Sequence, residues 1–556
     1  MNQLTLEQKQ AISMAEKGLS IKMLAFAGGG KTSTLYAIAN ALKKQNKRGL
    51  YLAFNKAIAN EAQEKMPENV TARTFHSLAY KSTPYQITRR VALKETPRDF
   101  INRHNLKDIY NVKLTIQVVG GSKNAVCMIS AYRLRFLILE SLKYYCRSDS
   151  DKFTPTLVME AINKHEPNIC EQDRQTILRR IYPVATDLML DYFSPNGIYP
   201  LNDFHDIYLK FWALTKPVIH ADFIMFDEAQ DADPIMRSIL EKQKCQIIYV
   251  GDPYQQIYSW RGAVNAMQSI NAQTCYLSQS FRFGPQLAQK AQMLLDHLGS
   301  PVAIRGDNSK STKVDISTYD KAAKFNAYIC RTNAGIVEAA FWHIKKGIEF
   351  AVVGMNFKEV IDIIVGLDDL DLTGKSTHPL VKDFGSIKDL DQYLDATPGD
   401  MQLQPYRKLH RIYGGDKILE MIENLRNTKI TKSTVVGVTA HSAKGLEYDH
   451  VCLASDFMNV FFDEDKNGKF ICKQNVSPEE FRLLYVAITR ARKCAYLKNV
   501  NTIFERLNEF SMNTSITKKD DDMALPDTDN KVDVTEQKDA KPQRPLRKFE
   551  TEVFNF

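Results

Sequence analysis

The chain has 556 residues, of which 44% are apolar and 25% are charged, and its formal net charge is +9. This length is too great for one hydrophobic core, so we expect several compact units. No apolar run is long enough to span a bilayer, and the nine cysteines include no C-x-x-C pair. These features argue against a membrane protein, a zinc ribbon, an iron–sulfur cluster and a disulfide framework. The N-terminus lacks the pattern of a secretory signal, which favours a cytoplasmic or nuclear protein.

An apolar run near the N-terminus ends in a glycine-rich loop. The loop and the residues that follow it are Ala27, Gly28, Gly29, Gly30, Lys31, Thr32 and Ser33. In such a loop the backbone N–H groups surround a polyphosphate, the lysine reaches the β- and γ-phosphates, and the hydroxyl residue binds Mg²⁺. The alternative is a glycine-rich turn that caps an ordinary helix. Ala25 stands at the first position of this pattern, where a glycine is usual, and we expect the ring of the next residue, Phe26, to point away from the nucleotide.

Residues 1–80 alternate strand and helix patterns, with a buried strand at 49–54 and a helix at 56–65. This alternation predicts the start of a doubly wound α/β domain. Residues 81–200 change to amphipathic helices, such as 131–142, and form a predicted insertion. The insertion holds 18 Lys and Arg against 12 Asp and Glu, a net charge of +6. A nucleic-acid-binding face and a solvated helical exterior both fit this charge.

The sheet pattern resumes at 201–276, with strands at 223–226 and 246–250. Asp227 and Glu228 follow the first of these strands, at the edge of a parallel sheet where ligands bind. Phosphoryl transfer requires a carboxylate that holds Mg²⁺ and a group that orients or deprotonates the attacking water. We assign the first role to Asp227, together with Thr32, and the second to Glu228. The alternative is a strand that ends in solvated acids.

A second α/β unit is predicted at 277–357 and 433–510, with strands at 327–330, 350–353, 435–439 and 451–454. A short helical insertion at 358–432 interrupts it, and a helix through 478–492 closes it. Residues 511–556 are rich in Lys, Asp and Pro and are predicted to be disordered. Four apolar residues near the C-terminus either dock on a protein partner or have no function.

Four further segments complete a series of motifs: 250–263, 277–282, 438–447 and 484–491. In this order the motifs resemble those of superfamily 1 DNA helicases of the UvrD/Rep group, over roughly residues 4–495. Segments 53–57 and 74–80 are most similar to the F-box DNA helicase branch, although the sequence shows no F-box segment. The resemblance implies two RecA-like P-loop NTPase core domains, each with an inserted, mainly helical subdomain.

The resemblance also implies how ATP is bound and hydrolysed. Gln8 would recognise the adenine, Phe281 would stack on it, and Glu447 would contact the ribose. Three further residues would act at the γ-phosphate: Gln255 as a sensor, and Arg282 and Arg490 as positive charges from the second core. Charges delivered across a cleft would make hydrolysis depend on closure of the two cores. Taken singly, each arginine is better explained by a surface ion pair, and only the ordered set of motifs favours the role at the phosphate.

A track for single-stranded DNA is the other implication of the resemblance. Its members would contact the bases or the backbone without reading sequence: Phe54, Asn55, Thr74, His76, Tyr258, Trp260, Thr439 and His441. The alternative for Trp260 is core packing.

The leading hypothesis is therefore an ATP-dependent motor on single-stranded DNA and its duplex junctions, moving 3′-to-5′ by family resemblance. One rival is a translocase that strips proteins from DNA without efficient unwinding. Another is a regulatory clamp that uses ATP only as a conformational ligand. A monomer is compatible with each hypothesis.

Overall fold

A computed structural model of the protein describes residues 4–106, 113–116, 125–166, 169–202, 204–257, 266–317, 326–382, 384–396, 400, 402–464, 470–507 and 509–510. The predicted tail at 511–556 lies outside these residues. Among the described residues, no helix combines the length and the apolarity that crossing a bilayer requires.

The strands, in chain order, are β1 (Ile21–Ala25), β2 (Gly49–Ala53), β3 (Val70–Thr74), β4 (Lys113–Ile116), β5 (Ala125–Met128), β6 (Phe223–Phe226), β7 (Gln246–Gly251), β8 (Gln273–Leu277), β9 (Lys313–Asp315), β10 (Ala327–Cys330), β11 (Phe350–Val353), β12 (Val435–Thr439), β13 (Tyr448–Leu453), β14 (Phe462–Glu464), β15 (Phe470–Cys472) and β16 (Ala491–Tyr496).

The α-helices are α1 (Leu6–Glu16), α2 (Lys31–Lys44), α3 (Lys56–Lys65), α4 (Phe75–Ser82), α5 (Tyr85–Thr88), α6 (Pro97–Arg103), α7 (Ala131–Arg147), α8 (Pro155–His165), α9 (Glu171–Phe193), α10 (Asp206–Leu214), α11 (Pro234–Glu241), α12 (Ala266–Ser269), α13 (Pro285–His297), α14 (Asn333–Lys345), α15 (Phe357–Thr373), α16 (Ile387–Ala396), α17 (Gln404–Tyr413), α18 (Gly415–Asn427), α19 (Met458–Phe461) and α20 (Pro478–Ile488).

The first lobe is built on a six-stranded sheet in the order β3-β2-β6-β7-β1-β8, in which every pair is parallel. All residues of β2, β6 and β7 are buried. Continuous burial is expected where helices cover both faces of a parallel sheet. One face packs with residues of α1, α2 and α3. The other face shares a single apolar core with α4, α10 and the helices α7–α9 that follow β5.

The second lobe has a six-stranded sheet in the order β11-β12-β10-β13-β16-β9, which is also parallel. Helices α13 and α20 belong to one apolar core of this lobe, and α14–α18 belong to another. Two antiparallel hairpins, β4–β5 and β14–β15, stand apart from the large sheets. The strands predicted at 223–226, 327–330, 350–353 and 435–439 and the helix at 56–65 are confirmed.

The helix predicted through 478–492 was wrong in its last four residues. Helix α20 ends at Ile488, and Ala491 begins β16, which lies between β13 and β9. Side chains satisfy the last carbonyls of the helix, because the Thr489 hydroxyl donates to Tyr485 O at 2.7 Å and Arg490 Nε donates to Val486 O at 2.9 Å. The charged pair Arg492 and Lys493 hides the strand pattern in the sequence.

Candidate functional site

The glycine-rich loop joins β1 to α2 and leaves the backbone N–H groups of the helix N-terminus exposed to a ligand. Gly28 and Gly30 have φ of 73° and 74°, a conformation that favours glycine. A Cβ on Gly28 would lie 2.6 Å from the Ser280 hydroxyl oxygen, so a side chain there has no space. Phe26 is buried in the apolar core, with its ring 6.0 Å from that of Tyr254, and it is not among the residues that line the cleft in front of the loop. The loop therefore has the form of an anion-binding site.

A cleft of about 280 Å³ opens in front of this loop. Its lining residues are Gly28, Gly29, Gly30, Lys31, Thr32, Ser33, Phe281, Arg282 and Glu447. Gln8 and Phe281 lie on two sides of Gly30, since a Cβ there would be 3.0 Å from Gln8 Nε2 and 3.1 Å from the Phe281 ring. The Gln8 amide is itself held in place, because it donates to the Thr34 hydroxyl at 2.9 Å and accepts from Thr5 N at 3.0 Å.

The two predicted carboxylates follow β6 and face the loop. Lys31 Nζ contacts Glu228 Oε1 at 2.5 Å. The Asp227 carboxylate accepts from the Tyr51 hydroxyl at 2.5 Å and from Glu228 N at 2.8 Å. Burial raises the pKa of Asp227. Burial disfavours the charged form of Glu228 too, but the charges of Lys31 and Lys444 outweigh it and hold the Glu228 pKa below its ordinary value.

Two arginines of the second lobe lie at or near the cleft: Arg282 lines it, and Arg490 is buried. Arg282 donates to Glu447 Oε1 at 2.6 Å and to Thr489 O at 2.9 Å. Arg490 is 1% exposed and donates to Gln255 Oε1 of the first lobe at 3.0 Å. Burial, together with the charge of Arg282, lowers the pKa of Arg490 to about 9. Positive charge from one lobe therefore lies against the polar groups of the other.

Two family models match the chain. The UvrD/REP helicase N-terminal domain matches residues 4–272, and the UvrD-like helicase C-terminal domain matches residues 380–525. The chain belongs to the UvrD/REP helicase family. The predicted resemblance is thus confirmed, and the two parallel sheets are the RecA-like lobes of this family.

Individual relatives agree with this assignment. F-box DNA helicase 1 of Gallus gallus is 29% identical over 526 residues, which cover 88% of this chain and 48% of the relative. F-box DNA helicase protein 1 of Schizosaccharomyces pombe is 27% identical over 90% of this chain and 58% of its own length. DNA helicase IV of Escherichia coli is 24% identical over 61% of this chain and 55% of its own length. The chain spans about half the length of these curated relatives.

Three residues of this UvrD/REP helicase join the site without having been predicted from the sequence. Lys444 forms an ion pair with Asp231 and donates to Gln255 O at 2.8 Å. The Tyr485 hydroxyl accepts from Ala27 N at 3.0 Å and donates to the Asp252 carboxylate at 3.2 Å. Tyr51 contacts Asp227, as described above. Lys444 and Tyr485 lie inside the motif segments 438–447 and 484–491. Their partners belong to the first lobe, so the local sequence does not show these contacts.

The oxygen donors of the helicase cleft fit a magnesium ion bound together with phosphates. Among the described residues, no group of three or more His, Cys, Asp and Glu side chains is placed to hold a metal alone. Mg²⁺ instead keeps several waters and binds through one or two carboxylates plus substrate phosphates. Asp227 and the exposed hydroxyl residue Thr32 carry oxygens of this kind: Thr32 follows Lys31 in the chain, and Asp227 precedes Glu228, the carboxylate that Lys31 contacts.

The predicted DNA-contacting residues of the first lobe follow β2 and β3 directly. Phe54 is 36% exposed, and the neighbouring Asn55 caps α3 by accepting from Ile58 N at 2.9 Å. Thr74 caps α4. His76 lies 3.2 Å from the Asp206 carboxylate. Both caps are structural roles that the sequence analysis did not assign.

Two predicted DNA-contacting residues of the second lobe lie at the carboxyl end of β12: Thr439 is its last residue, and His441 follows it. The Thr439 hydroxyl accepts from Ser442 N at 3.2 Å, which fixes the turn after the strand. Burial and the charge of Arg331 lower the pKa of His441 to about 4. Tyr258 and Trp260 lie outside the described residues.

Proposed function

We propose that the protein is an ATP-dependent translocase and helicase on single-stranded DNA. Movement is 3′-to-5′, a direction that rests on the family resemblance alone. The observation that supports the proposal is the hydrogen bond that Arg490 donates to Gln255, because it joins a charged group of one lobe to the proposed γ-phosphate sensor of the other. Hydrolysis then requires lobe closure, and alternating closure and opening moves the strand.

Each part of the cleft has a role in this cycle. The loop N–H groups and Lys31 hold the phosphates, while Gln8 and Phe281 hold the base and Glu447 the ribose. Thr32 and Asp227 hold Mg²⁺, which neutralises charge on the phosphates when it is bound. Glu228 orients the attacking water.

Residues of both lobes act at the γ-phosphate in this proposal. Gln255 senses it from the first lobe, and Arg282 and Arg490 stabilise the developing charge from the second. Because Arg490 belongs to the second lobe and Gln255 to the first, their hydrogen bond forms when the lobes close and breaks when they open.

Single strands and junctions with duplex DNA are the proposed substrates. Phe54 offers an exposed ring for stacking, and the polar residues around it position the backbone. Thr439 and His441, together with Tyr258 and Trp260 of the segment outside the described residues, are the other proposed contacts. Such a substrate implies a cytoplasmic or nuclear location, and the apolar end of the tail is a proposed docking segment for a protein partner.

The substitution Lys31→Ala tests the ATPase part of the proposal. We expect a loss of DNA-stimulated hydrolysis of about a hundred-fold or more, since one lost charge in a preorganised site has an effect of this size. ATPase rates with single-stranded DNA, duplex DNA and RNA are measured. Lys44→Ala, at the other end of α2, is the matched control and should hydrolyse normally.

Substrates with opposite tails then test the motor itself. Unwinding of a 3′-tailed duplex, but not of a 5′-tailed one, is the expected result. Displacement of a bound protein without unwinding would favour the stripping translocase. Absence of hydrolysis at saturating single strand would favour the regulatory clamp. Full turnover by the Lys31→Ala protein would refute the proposed ATP site.

A further inference from the structure

Tyr51 brings a buried hydroxyl to the hydrolytic centre from a strand that no nucleotide-binding motif includes. It lies in β2, between β3 and β6, and its side chain is 1% exposed. The β2–β6 register pairs it with Met225, two residues before Asp227. Its hydroxyl donates to Asp227 Oδ2 at 2.5 Å.

The Asp227 carboxylate is therefore held at both oxygens. Glu228 N donates to Oδ1 at 2.8 Å, and the Tyr51 hydroxyl donates to Oδ2. Among the described residues, Tyr51 is the one side chain that hydrogen-bonds to this carboxylate, since Lys31 contacts Glu228 instead. Two donors on one carboxylate fix its rotation, whereas one donor would leave it free to turn about the Cβ–Cγ bond.

Packing alone does not require the hydroxyl. The Tyr51 ring lies in an apolar cluster with Met225, Phe223 and Ile248, and phenylalanine would fill the same volume. A buried hydroxyl costs stability unless it forms a hydrogen bond. The bond that it forms here is to a proposed metal-holding carboxylate, and groups that orient such ligands change metal affinity by about 10–100-fold.

We infer that Tyr51 is a positioning residue for the divalent metal: it holds the Asp227 carboxylate in the orientation that receives hydrated Mg²⁺ bound to ATP. This inference rests on the proposed ATPase function. It concerns a residue that touches neither the nucleotide loop nor the arginines of the second lobe.

Tyr51→Phe in the full chain tests the inference, because it removes one oxygen and keeps the ring. Mn²⁺ is the probe, and its binding is measured by electron paramagnetic resonance in the presence of a non-hydrolysable ATP analogue. We expect the affinity for Mn²⁺ to fall by about 10-fold. Binding of a fluorescent ATP analogue in EDTA and the melting temperature should stay near wild type. High Mn²⁺ should restore the ATPase rate, which a merely structural role would not allow.

Tyr249→Phe is the matched control. Tyr249 is a buried tyrosine of β7 in the same sheet, and its ring belongs to the apolar cluster on the opposite face. This variant should bind Mn²⁺ as the wild type does. Tyr51→Met, which also lacks the hydroxyl, should reproduce the result of Tyr51→Phe.

Three results would overturn the inference. They are unchanged Mn²⁺ affinity in both Tyr51 variants, an equal loss in Tyr249→Phe, and a loss of metal-free nucleotide binding that matches the loss of Mn²⁺ binding. Failure of the proposed function would look different, because the wild-type protein itself would then show no ATPase activity.

Discussion

Glu228 has a backbone conformation that its residue type rarely adopts, with φ of 51°. A side chain in this region costs about 1–3 kcal/mol, which neighbouring contacts have to offset. The carboxylate pairs with Lys31 and accepts from Gln230 Nε2, each at 2.5 Å. Because these contacts hold the Glu228 pKa below its ordinary value, the group is a weak base at neutral pH. In the proposed role of Glu228, this lowered pKa favours orientation of the attacking water over removal of its proton.

Protonation of a single residue, His441, should make the stability of the fold depend on pH. Its folded pKa of about 4 lies below the value near 6.5 of an unfolded chain. Protonation therefore favours unfolding. The stabilising contribution of neutral His441 to the free energy of unfolding is complete above about pH 6.5 and is lost as the pH falls toward 4. We expect the melting temperature to fall between pH 7 and pH 5 by more in the wild type than in His441→Gln.

The comparison between these two proteins isolates His441 from groups that titrate in the opposite sense. Burial raises the pKa values of Asp231 and Asp252 to about 6, so those residues favour folding as the pH falls through the same range. Both proteins share that effect. Equal pH profiles for wild type and His441→Gln would contradict a depressed pKa.

The sequence predicts those site residues whose chemistry is visible in a local pattern. Lys31 follows three glycines, and Asp227 follows an apolar strand, so their places in the cleft could be inferred. Tyr51 and Lys444 have no such signal. Their polar partners lie 176 and 213 residues away in the chain, and nothing in the local sequence distinguishes a buried tyrosine that bonds to a carboxylate from one that only packs.

At the scale of elements, the strand ends combine structural and proposed functional roles. Strand β2 carries Tyr51 toward Asp227 and ends just before Phe54 and Asn55. Asn55 is both the N-cap of α3 and a proposed DNA contact. Its two roles require different chemistry, because a cap needs an acceptor oxygen whereas a phosphate contact needs a group without negative charge.

Substitutions at Asn55 should separate these roles. Asn55→Asp keeps an acceptor at the cap, and its charge suits a helix N-terminus, so stability should be retained. The same charge repels phosphate, and we expect affinity for single-stranded DNA to fall several-fold. Asn55→Ala should instead lower the free energy of unfolding by about 1 kcal/mol. Fluorescence anisotropy with labelled DNA and thermal unfolding measure the two effects.

A matched charge change elsewhere controls for net charge. Asn46 is an exposed residue with φ of 58°, just beyond α2 and away from the carboxyl ends of the strands. Asn46→Asp should bind DNA as the wild type does. An equal loss of affinity in both Asp variants would mean that Asn55 makes no specific contact.

Element boundaries were predicted best where the apolar pattern is continuous. The four residues of β6 and those of β10 are nearly all apolar, and both strands were predicted. Strand β16 was missed because its consecutive residues Arg492 and Lys493 are charged and exposed, and only its other positions are wholly or partly buried. A strand of mixed polarity after a helix looks like one more helical turn until its partners β13 and β9 are known.

At the scale of the molecule, the insertions were predicted as interruptions of the two sheets but not as parts of their cores. Helices α7–α9 share an apolar cluster with one face of the first sheet, and α15–α18 share one with the second. Amphipathic patterns show that a helix has a buried side, but not which surface buries it. Each lobe is therefore larger and more rigid than its strands alone suggest.

Lys444 and Asp231 form an ion pair between the two lobes, and we expect this pair to affect the rate of ATP hydrolysis. Lys444 follows β12 in the second lobe and Asp231 follows β6 in the first, and their side chains are 8% and 2% exposed. A buried ion pair that loses one member leaves an uncompensated charge. Lys444 also donates to the backbone of Gln255, whose side chain accepts from Arg490. Loss of the Lys444–Asp231 ion pair should therefore disturb Arg490, the charge that is proposed to act at the γ-phosphate.

A double-mutant cycle on the DNA-stimulated ATPase rate tests the contribution of the Lys444–Asp231 ion pair. Lys444→Met and Asp231→Asn should each lower the rate about 10-fold or more, and the double variant should be no slower than the slower single variant, because both changes break one interaction. Lys43→Met and Glu68→Gln provide the control, since that exposed pair of the first lobe spans 3.0 Å with side chains 44% and 82% exposed and should contribute little. If the losses of the two single variants multiplied in the double variant, Lys444 and Asp231 would act independently, and lobe closure would depend on the arginine contacts alone.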